Sequence, residues 1–356
     1  LEKAADRASS GDARLAMMLE IARIHDFELK DEAGAEEIYK AIRSTDPDSI
    51  EMLQFFRRVY RRRKSKKRAF NNLKHLHEVL LGPNNRKERV AVAVEMARLA
   101  RNSLSDKDYA VEAWKRVLKD EPTHKEAHRE LRRLYKDSHR WHAEVELLNQ
   151  KLKLHAKSGM DEQLDILFEI IDIYQDPEKL GMEDMVVATY ARVVELSPSN
   201  QRALDNLARK YRDTGKWNEL VGVLRQRIEH TDDPEELLAL FGEIARLYME
   251  RVESDPQAIP VLERMLELDP GNLEIIQRIR SAFKRKHSTW KLYETYQREL
   301  ELLEGTDRAQ VLVELARIAT DELFKFNEAV EWWRKLLEVS PGDPRAISAL
   351  EQLHAE

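Results

Sequence analysis

Cysteine is absent from this chain of 356 residues, and glycine and proline are scarce, at 11 each. Without cysteine there are no disulfides and no thiolate metal ligands, although this absence does not separate the cytosol from the periplasm. No apolar run approaches the length of a membrane span, and the opening residues LEKAADRASS do not form a signal peptide. We therefore expect no membrane insertion and a cytoplasmic location, with a periplasmic one left open.

Charged residues make up 35% of the chain, and the formal net charge of −6 conceals an uneven distribution. Residues 47–160 carry 28 basic and 15 acidic side chains, which gives +13. Residues 161–356 carry 25 basic and 40 acidic side chains, which gives −15, and residues 1–46 give −4. One region should therefore attract anions while the rest repels them.

The length alone would suggest two or more domains, but a repeated pattern indicates one elongated array instead. Five copies of a Glu-apolar-Ala-like motif begin at Glu20, Glu95, Glu169, Glu243 and Glu314, and each copy closes on a proline, at Pro47, Pro122, Pro198, Pro270 and Pro341. Successive prolines lie 75, 76, 72 and 71 residues apart. This rhythm predicts a stacked array in which each period holds four helices, here called A, B, C and D from the proline onward.

Within each period the apolar residues fall at helical spacing. Helix A carries a pair four residues apart, and tryptophan opens helix B at Trp141, Trp217 and Trp290. Helix C has a small residue two after its glutamate, at Ala22, Ala97, Ala245 and Ala316, and Ile171 replaces it in the third copy. Helix D has an aromatic residue or leucine eight before the proline, at Tyr39, Trp114, Tyr190, Leu262 and Trp333. We predict that all of these residues, the tryptophans included, pack between helices.

The D-helix pattern of alanine, an aromatic residue four later and proline eight after that resembles the second helix of a tetratricopeptide repeat. The resemblance implies an all-α, right-handed α-solenoid of about 19 helices over residues 1–356. The first helix departs from that family, with Arg57, Arg132, Ala208 and Arg280 where glycine is expected, and the C helices are longer. Such irregularity also resembles the half-a-tetratricopeptide repeats of RNA-processing scaffolds.

Both ends of the sequence match the interior of a repeat. Leu1 and Ala5 align with Leu224 and Ile228, and the residues after Pro341 match only helix A. We therefore expect residues 1–356 to be one solenoid cut from a longer array, with cut ends that could self-associate.

Basic residues suggest a partner-binding surface. Nine of the twelve residues from Arg57 to Arg68 are Lys or Arg. A-helix positions face the concave groove in tetratricopeptide arrays, so the resemblance implies that the A-helix cations line that groove. The predicted partner-binding residues are Arg58, Arg61, Arg62, Arg129, Arg133, Lys136, Arg209 and Arg212. Arginine suits this role because its guanidinium group pairs with carboxylates in bidentate fashion.

A second set of arginines lies three residues after the signature glutamates, at Arg23, Arg98, Arg246 and Arg317. By the same resemblance they could line the groove. They could equally support their own helices through ion pairs with Glu20, Glu95, Glu243 and Glu314, each worth only a few tenths of a kcal/mol.

No catalytic, cofactor or metal site is predicted. His124 and His128 have helical metal-ligand spacing, but His128 stands at a repeat position held by Leu53, Leu204 and Ile276 elsewhere, so we expect a packing histidine. No nucleotide-binding or nucleophile motif occurs.

The function that this pattern favours is a non-enzymatic scaffold that binds an acidic peptide, helix or loop of a partner protein. The alternative from another class is a scaffold that binds RNA, which would lose affinity steeply with salt. A third reading makes the segment the recognition arm of a larger enzyme. The acidic C-terminal half could serve a basic partner or self-association.

Overall fold

The computed structural model describes residues 11–104, 106–156 and 159–355, so the predicted start within a repeat at Leu1 and Ala5 lies outside the described residues. Over the described ranges the chain forms 19 α-helices and no strands, which confirms the all-α repeat fold. The helices are α1 (Gly11–Arg23), α2 (Glu32–Thr45), α3 (Ile50–Arg62), α4 (Lys66–Val79), α5 (Arg86–Leu99), α6 (Lys107–Asp120), α7 (Lys125–Asp137), α8 (Trp141–Leu154), α9 (Met160–Gln175), α10 (Glu183–Leu196), α11 (Gln201–Asp213), α12 (Trp217–Glu229), α13 (Pro234–Glu250), α14 (Asp255–Leu268), α15 (Leu273–Arg285), α16 (Thr289–Leu302), α17 (Gly305–Arg317), α18 (Phe326–Val339) and α19 (Pro344–Ala355). Across these residues, no helix combines the length and the apolar character that crossing a membrane requires.

Contacts between residues divide the chain into two compact units, Leu1–Val186 and Val187–Glu356. In the first unit each helix packs chiefly on its neighbours in sequence, for example α1 on α2, α3 on α4, and α5 on both α4 and α6. The second unit repeats this arrangement, with α13 on α14 and α17 on α18. Contacts limited to sequence neighbours are typical of stacked repeats.

The repeat prolines separate one period from the next. Helices α2, α6, α10, α14 and α18 are D helices, and each ends two residues before its proline. The residue two after the proline then caps the next A helix through its side chain. The capping bonds are Met52 N to Ser49 Oγ at 3.5 Å, Ala127 N to His124 Nδ1 at 3.2 Å, Ala203 N to Asn200 Oδ1 at 3.0 Å and Ile275 N to Asn272 Oδ1 at 3.2 Å. These caps satisfy backbone donors that the helix leaves open.

The predicted core positions on the C and D helices are buried. Ala22, Ala97, Ala245 and Ala316 on the C helices have no exposed surface, and Ile171 is equally buried. The D-helix residues Tyr39, Trp114, Tyr190, Leu262 and Trp333 are also buried. Small residues on C therefore let the large D-helix side chains of the same period pack closely.

Two backbone features shape the turns. The A-to-B turn holds one residue in the left-handed region in four periods, at Lys64, His139, Gly215 and His287, with φ between 53° and 67°. Three C helices continue into a π-helical turn, at Ile24–Glu28, Ala100–Leu104 and Ile318–Glu322. In these three periods the π-helical turn lengthens the C helix beyond the family pattern.

Candidate partner-binding site

The predicted partner-binding residues lie on three A helices. Helices α3 and α7 of the first unit carry six of them, and α11 of the second unit carries Arg209 and Arg212. The three groups differ in what already pairs with them, so each is described separately.

On α3, acidic residues from the preceding period neutralise much of the basic cluster. Arg58 forms an ion pair with Asp26, and its guanidinium carbon lies 5.1 Å from the ring centroid of Phe27. Arg62 pairs with Glu32. Arg61 is exposed and has no ion-pair partner among the described residues. The cluster is therefore less positive than its sequence indicates.

On α11 the predicted arginines are held by local acceptors. Arg209 Nη2 donates to Oδ1 of Asn206 at 2.6 Å, and Arg212 Nη2 lies 2.6 Å from Oε1 of Glu243. Glu243 is the signature glutamate of the fourth copy, so its partner comes from the preceding A helix.

Helix α7 borders a groove of about 820 Å³ that also involves α8 and α9. We call this cavity the α7–α9 groove. It includes the predicted residues Arg129, Arg133 and Lys136. The remaining lining residues are Thr123, Lys125, His128, Arg132, Asp137, Lys151, Leu154, His155, Glu162, Asp165, Ile166 and Glu169. Six Lys and Arg side chains thus face four Asp and Glu side chains and two aliphatic ones.

Several cations of the groove are engaged by carboxylates. Arg132 Nε and Lys136 Nζ lie 3.3 and 3.6 Å from Oε1 of Glu144, which has no exposed surface. Arg132 Nη2 also lies 3.0 Å from Oε2 of Glu169. Arg129 Nε is 3.6 Å from Oε1 of Glu130, at the loose end of ion-pair distances.

Arg133 differs from these neighbours. Its side chain is exposed and lines the groove, and no carboxylate in the described part of the chain pairs with it. A guanidinium group without an internal partner is the one best able to take a carboxylate from another molecule.

The histidines of this region have structural partners. His124 caps α7, and the Nε2–H of His128 donates to the carbonyl oxygen of Pro122 at 2.7 Å. Burial disfavours the charged imidazole and lowers the pKa of His128. His128 is half-buried on the groove, so its predicted place in the core is wrong; in the other copies Leu53, Leu204 and Ile276 are fully buried there. Across the described ranges, no three His, Asp or Glu side chains converge as metal ligands.

Two of the four signature arginines, Arg23 and Arg98, form ion pairs with the next period that the sequence analysis did not predict. Arg23 binds both carboxylate oxygens of Glu51, at 2.7 and 2.8 Å, and Arg98 binds both of Glu126, at 2.9 and 2.6 Å. Each acceptor lies four residues after a repeat proline, a regularity that could have revealed it. Helical pairs with the signature glutamate occur for Arg23 and for Arg317.

Each tryptophan that opens a B helix has a cation above its ring. The nitrogen of Lys179 lies 5.7 Å from the ring centroid of Trp141, the guanidinium carbon of Arg251 lies 5.4 Å from that of Trp217, and the nitrogen of Lys325 lies 4.3 Å from that of Trp290. Trp141 and Trp217 are partly buried, whereas Trp290 is 50% exposed. The prediction that Trp290 packs between helices is therefore wrong.

The tetratricopeptide repeat family model matches residues 203–238, which span α11 and α12. No curated protein matches the chain. Among solved structures, the chain is similar to the tetratricopeptide domain of P58(IPK), with 16% identity, a TM-score of 0.26 and coverage of 96% of this chain and 97% of that one. It is also similar to YrrB, described as having an unusual peptide-binding site, with 15% identity, a TM-score of 0.28 and coverage of 56% and 96%. A third similar structure is pilF of Pseudomonas aeruginosa, with 13% identity, a TM-score of 0.26 and coverage of 76% and 98%.

Proposed function

Since this chain is a tetratricopeptide-like repeat protein, we propose that it is a non-enzymatic scaffold whose first unit binds an acidic segment of a partner protein in the α7–α9 groove. The observation that carries the proposal is the exposed side chain of Arg133, which lies in that groove with no carboxylate among the described residues to neutralise it. The cytoplasmic location and self-association stay predictions.

The lining favours a peptide of mixed character. Arg129, Arg133 and Lys125 offer positive charge to carboxylates, and Leu154 and Ile166 offer aliphatic surface to an apolar side chain. Leu154 is exposed, so it is free to contact a ligand. A groove that combines a few charges with apolar surface fits a short helix or loop that carries both.

RNA fits this lining less well. Proteins that bind single-stranded nucleic acid stack the bases on aromatic side chains, and the described residues that line the groove include no Phe, Tyr or Trp. Glu162, Asp165 and Glu169 line it as well and would repel a continuous phosphate backbone. We therefore favour an acidic protein segment, and keep RNA as an outcome of the test.

Five further residues stay proposed contacts of lower weight, because four of them already have an acceptor in the protein. The five are Arg58, Arg61, Arg62, Arg209 and Arg212. Arg58, Arg133 and Arg209 all lie eleven residues after a repeat proline. This shared position supplies matched controls, since the same substitution can be made at equivalent places on α3, α7 and α11.

The experiment measures binding of a synthetic leucine and glutamate peptide to the wild-type chain and to Arg133→Glu, Arg58→Glu and Arg209→Glu. We expect Arg133→Glu to weaken binding by about tenfold or more, since charge reversal adds repulsion. Arg58→Glu and Arg209→Glu should weaken it less, because both arginines already have an acceptor in the protein. Equal losses in all three variants would favour the general concave surface over this groove. Unchanged binding in Arg133→Glu would refute the proposal.

A parallel titration with single-stranded RNA tests the alternative. RNA binding that exceeds peptide binding and falls steeply between about 50 and 200 mM salt would replace the acidic peptide with a nucleic-acid partner.

A further inference from the structure

Three large aromatic side chains are exposed together in the second unit. Trp290 is 50% exposed, Phe324 is 70% exposed and Phe326 is 47% exposed. The start of α16 meets the turn before α18, because Thr289 Oγ1 donates to Oε2 of Glu322 at 3.0 Å and Lys325 Nζ lies over the Trp290 ring. We call Trp290, Phe324 and Phe326 the aromatic patch.

Phe324 occupies a backbone conformation that disfavours it. Its φ of 56° lies in the left-handed region, where a bulky side chain is strained. The equivalent residues before α2, α10 and α14 are Lys30, Gly181 and Glu253, which are polar or glycine. A strained phenylalanine that is mostly exposed contributes little to folding, which points to a role outside the fold.

Phe326 departs from the repeat in the same way. It is the first residue of its D helix, and the equivalent residues of α2, α10 and α14 are Glu32, Glu183 and Asp255. The rings of Phe324 and Phe326 are 6.4 Å apart and nearly edge to face. Two polar positions of the repeat have therefore become a pair of exposed rings beside Trp290. Such grouped apolar exposure marks interaction surfaces.

The surroundings of the patch are acidic. Asp321 and Glu322 lie three and two residues before Phe324 in the chain. Glu294 accepts a hydrogen bond from the Trp290 indole at 3.1 Å. Residues 301–340 contain five basic and nine acidic side chains, a net charge of −4. Two cations beside the patch already have carboxylate partners: Lys325 lies 2.8 Å from a Glu328 oxygen, and Arg317 lies 3.8 Å from Oε1 of Glu322. Carboxylates beside exposed rings favour a ligand that carries both positive charge and apolar surface.

The patch already binds one ammonium group. Lys325 Nζ lies 4.3 Å from the ring centroid of Trp290 and 5.3 Å from that of Tyr293. A lysine of another protein would be held in the same way, over two aromatic rings and with a carboxylate close by.

We propose that the aromatic patch is a second docking surface, which binds a basic amphipathic segment of a partner protein. Apolar side chains of that segment pack on Phe324 and Phe326, and its lysines or arginines pair with Asp321, Glu322 and Glu294. The segment proposed to bind here is basic, whereas the one proposed for the α7–α9 groove is acidic. This proposal therefore does not depend on the proposed function.

The test uses a synthetic leucine and lysine amphipathic peptide and the Phe324→Gly variant. Glycine removes the aromatic anchor and also the backbone strain. We expect the affinity to fall by about tenfold or more, as for loss of an aromatic anchor, while the urea midpoint stays the same or rises. Glu253→Gly is the matched control, because Glu253 holds the same left-handed position in the preceding period; its peptide affinity should equal that of the wild type.

Three results would overturn the proposal. One is unchanged peptide affinity in Phe324→Gly. Another is equal affinity for a leucine and glutamate peptide of the same length. The third is a dimer of the wild type in sedimentation that Phe324→Gly abolishes, which would assign the patch to a second copy of this chain. Phe326→Glu, which restores the residue type of α2 and α10, repeats the test with a variant that the repeat tolerates elsewhere.

Discussion

Arg132 Nε lies 3.3 Å from Oε1 of Glu144, a carboxylate in the first turn of helix α8 that has no exposed surface. Arg132 stands ten residues after its repeat proline, and Glu144 stands three after Trp141. The equivalent residues of the next period are Ala208 and Leu220, both buried. The fold therefore accepts either an ion pair or an apolar pair at one structural position.

This exchange predicts a sharp difference between single and double variants. Arg132→Ala leaves the buried Glu144 with Lys136, at 3.6 Å, as its remaining ion-pair partner among the described residues, and should lower the free energy of unfolding by about 3 kcal/mol. Arg132→Ala with Glu144→Leu reproduces the apolar pair and should stay within about 1 kcal/mol of the wild type. Urea unfolding followed by circular dichroism measures both. A double variant as unstable as the single one would show that the two positions are not exchangeable.

Tryptophans at different repeat positions should differ greatly in their contribution to stability. Trp114 on α6 is 1% exposed, so Trp114→Ala leaves a cavity and should cost about 3–5 kcal/mol. Trp290→Ala removes a half-exposed ring that lies under the Lys325 cation and donates a hydrogen bond to Glu294, and should cost about 1 kcal/mol or less. Thermal unfolding of the two variants checks the order, and similar losses would mean that Trp290 is packed after all.

The sequence predicts the repeat well because the core depends on residues close together in the chain. Ala22 and Tyr39 belong to one period, and the helical spacing alone indicates that both face inward, as they do. The proline rhythm likewise predicts where the D helices end. Burial in a repeat is a local property, so periodicity is enough to find it.

The ion pair of Arg58 could not be predicted from the spacing of the repeat. The partner of Arg58 is Asp26, 32 residues earlier on a π-helical turn, and the position of that turn depends on how successive helices stack. The sequence therefore identified which cations lie on A helices, but not which of them remain unpaired. Trp290 is a similar case, since its exposure depends on the residues across from it and not on its own place in the repeat.

His77 should make stability dependent on pH. It is buried on α4, and burial, with repulsion from Arg116 second, lowers the pKa of its imidazole below the ordinary value of about 6.5. As the pH falls below that value the unfolded chain takes up the proton first, so stability that is present at pH 7 decreases toward the folded-state pKa.

The His77→Leu variant isolates this effect. Its urea midpoint should change less between pH 7 and pH 5 than that of the wild type. His75→Gln, at a partly exposed position of the same helix, is the matched control for replacing a histidine there. Equal pH dependence in His77→Leu and the wild type would show that His77 is not the group responsible.

Two glycines in adjacent elements should respond in opposite ways to the same substitution. Gly215 forms the turn before α12 with a φ of 67°, where an alanine is strained, and its added Cβ would make only an ordinary 3.7 Å contact with Trp217. Gly215→Ala should therefore cost about 1 kcal/mol through the backbone alone. Gly222 lies within α12 with open space around an added Cβ, so Gly222→Ala should raise stability by about 0.5–1 kcal/mol. The two variants, measured side by side by urea unfolding, should move the midpoint in opposite directions. A shift of the same sign in both would contradict the left-handed turn at Gly215.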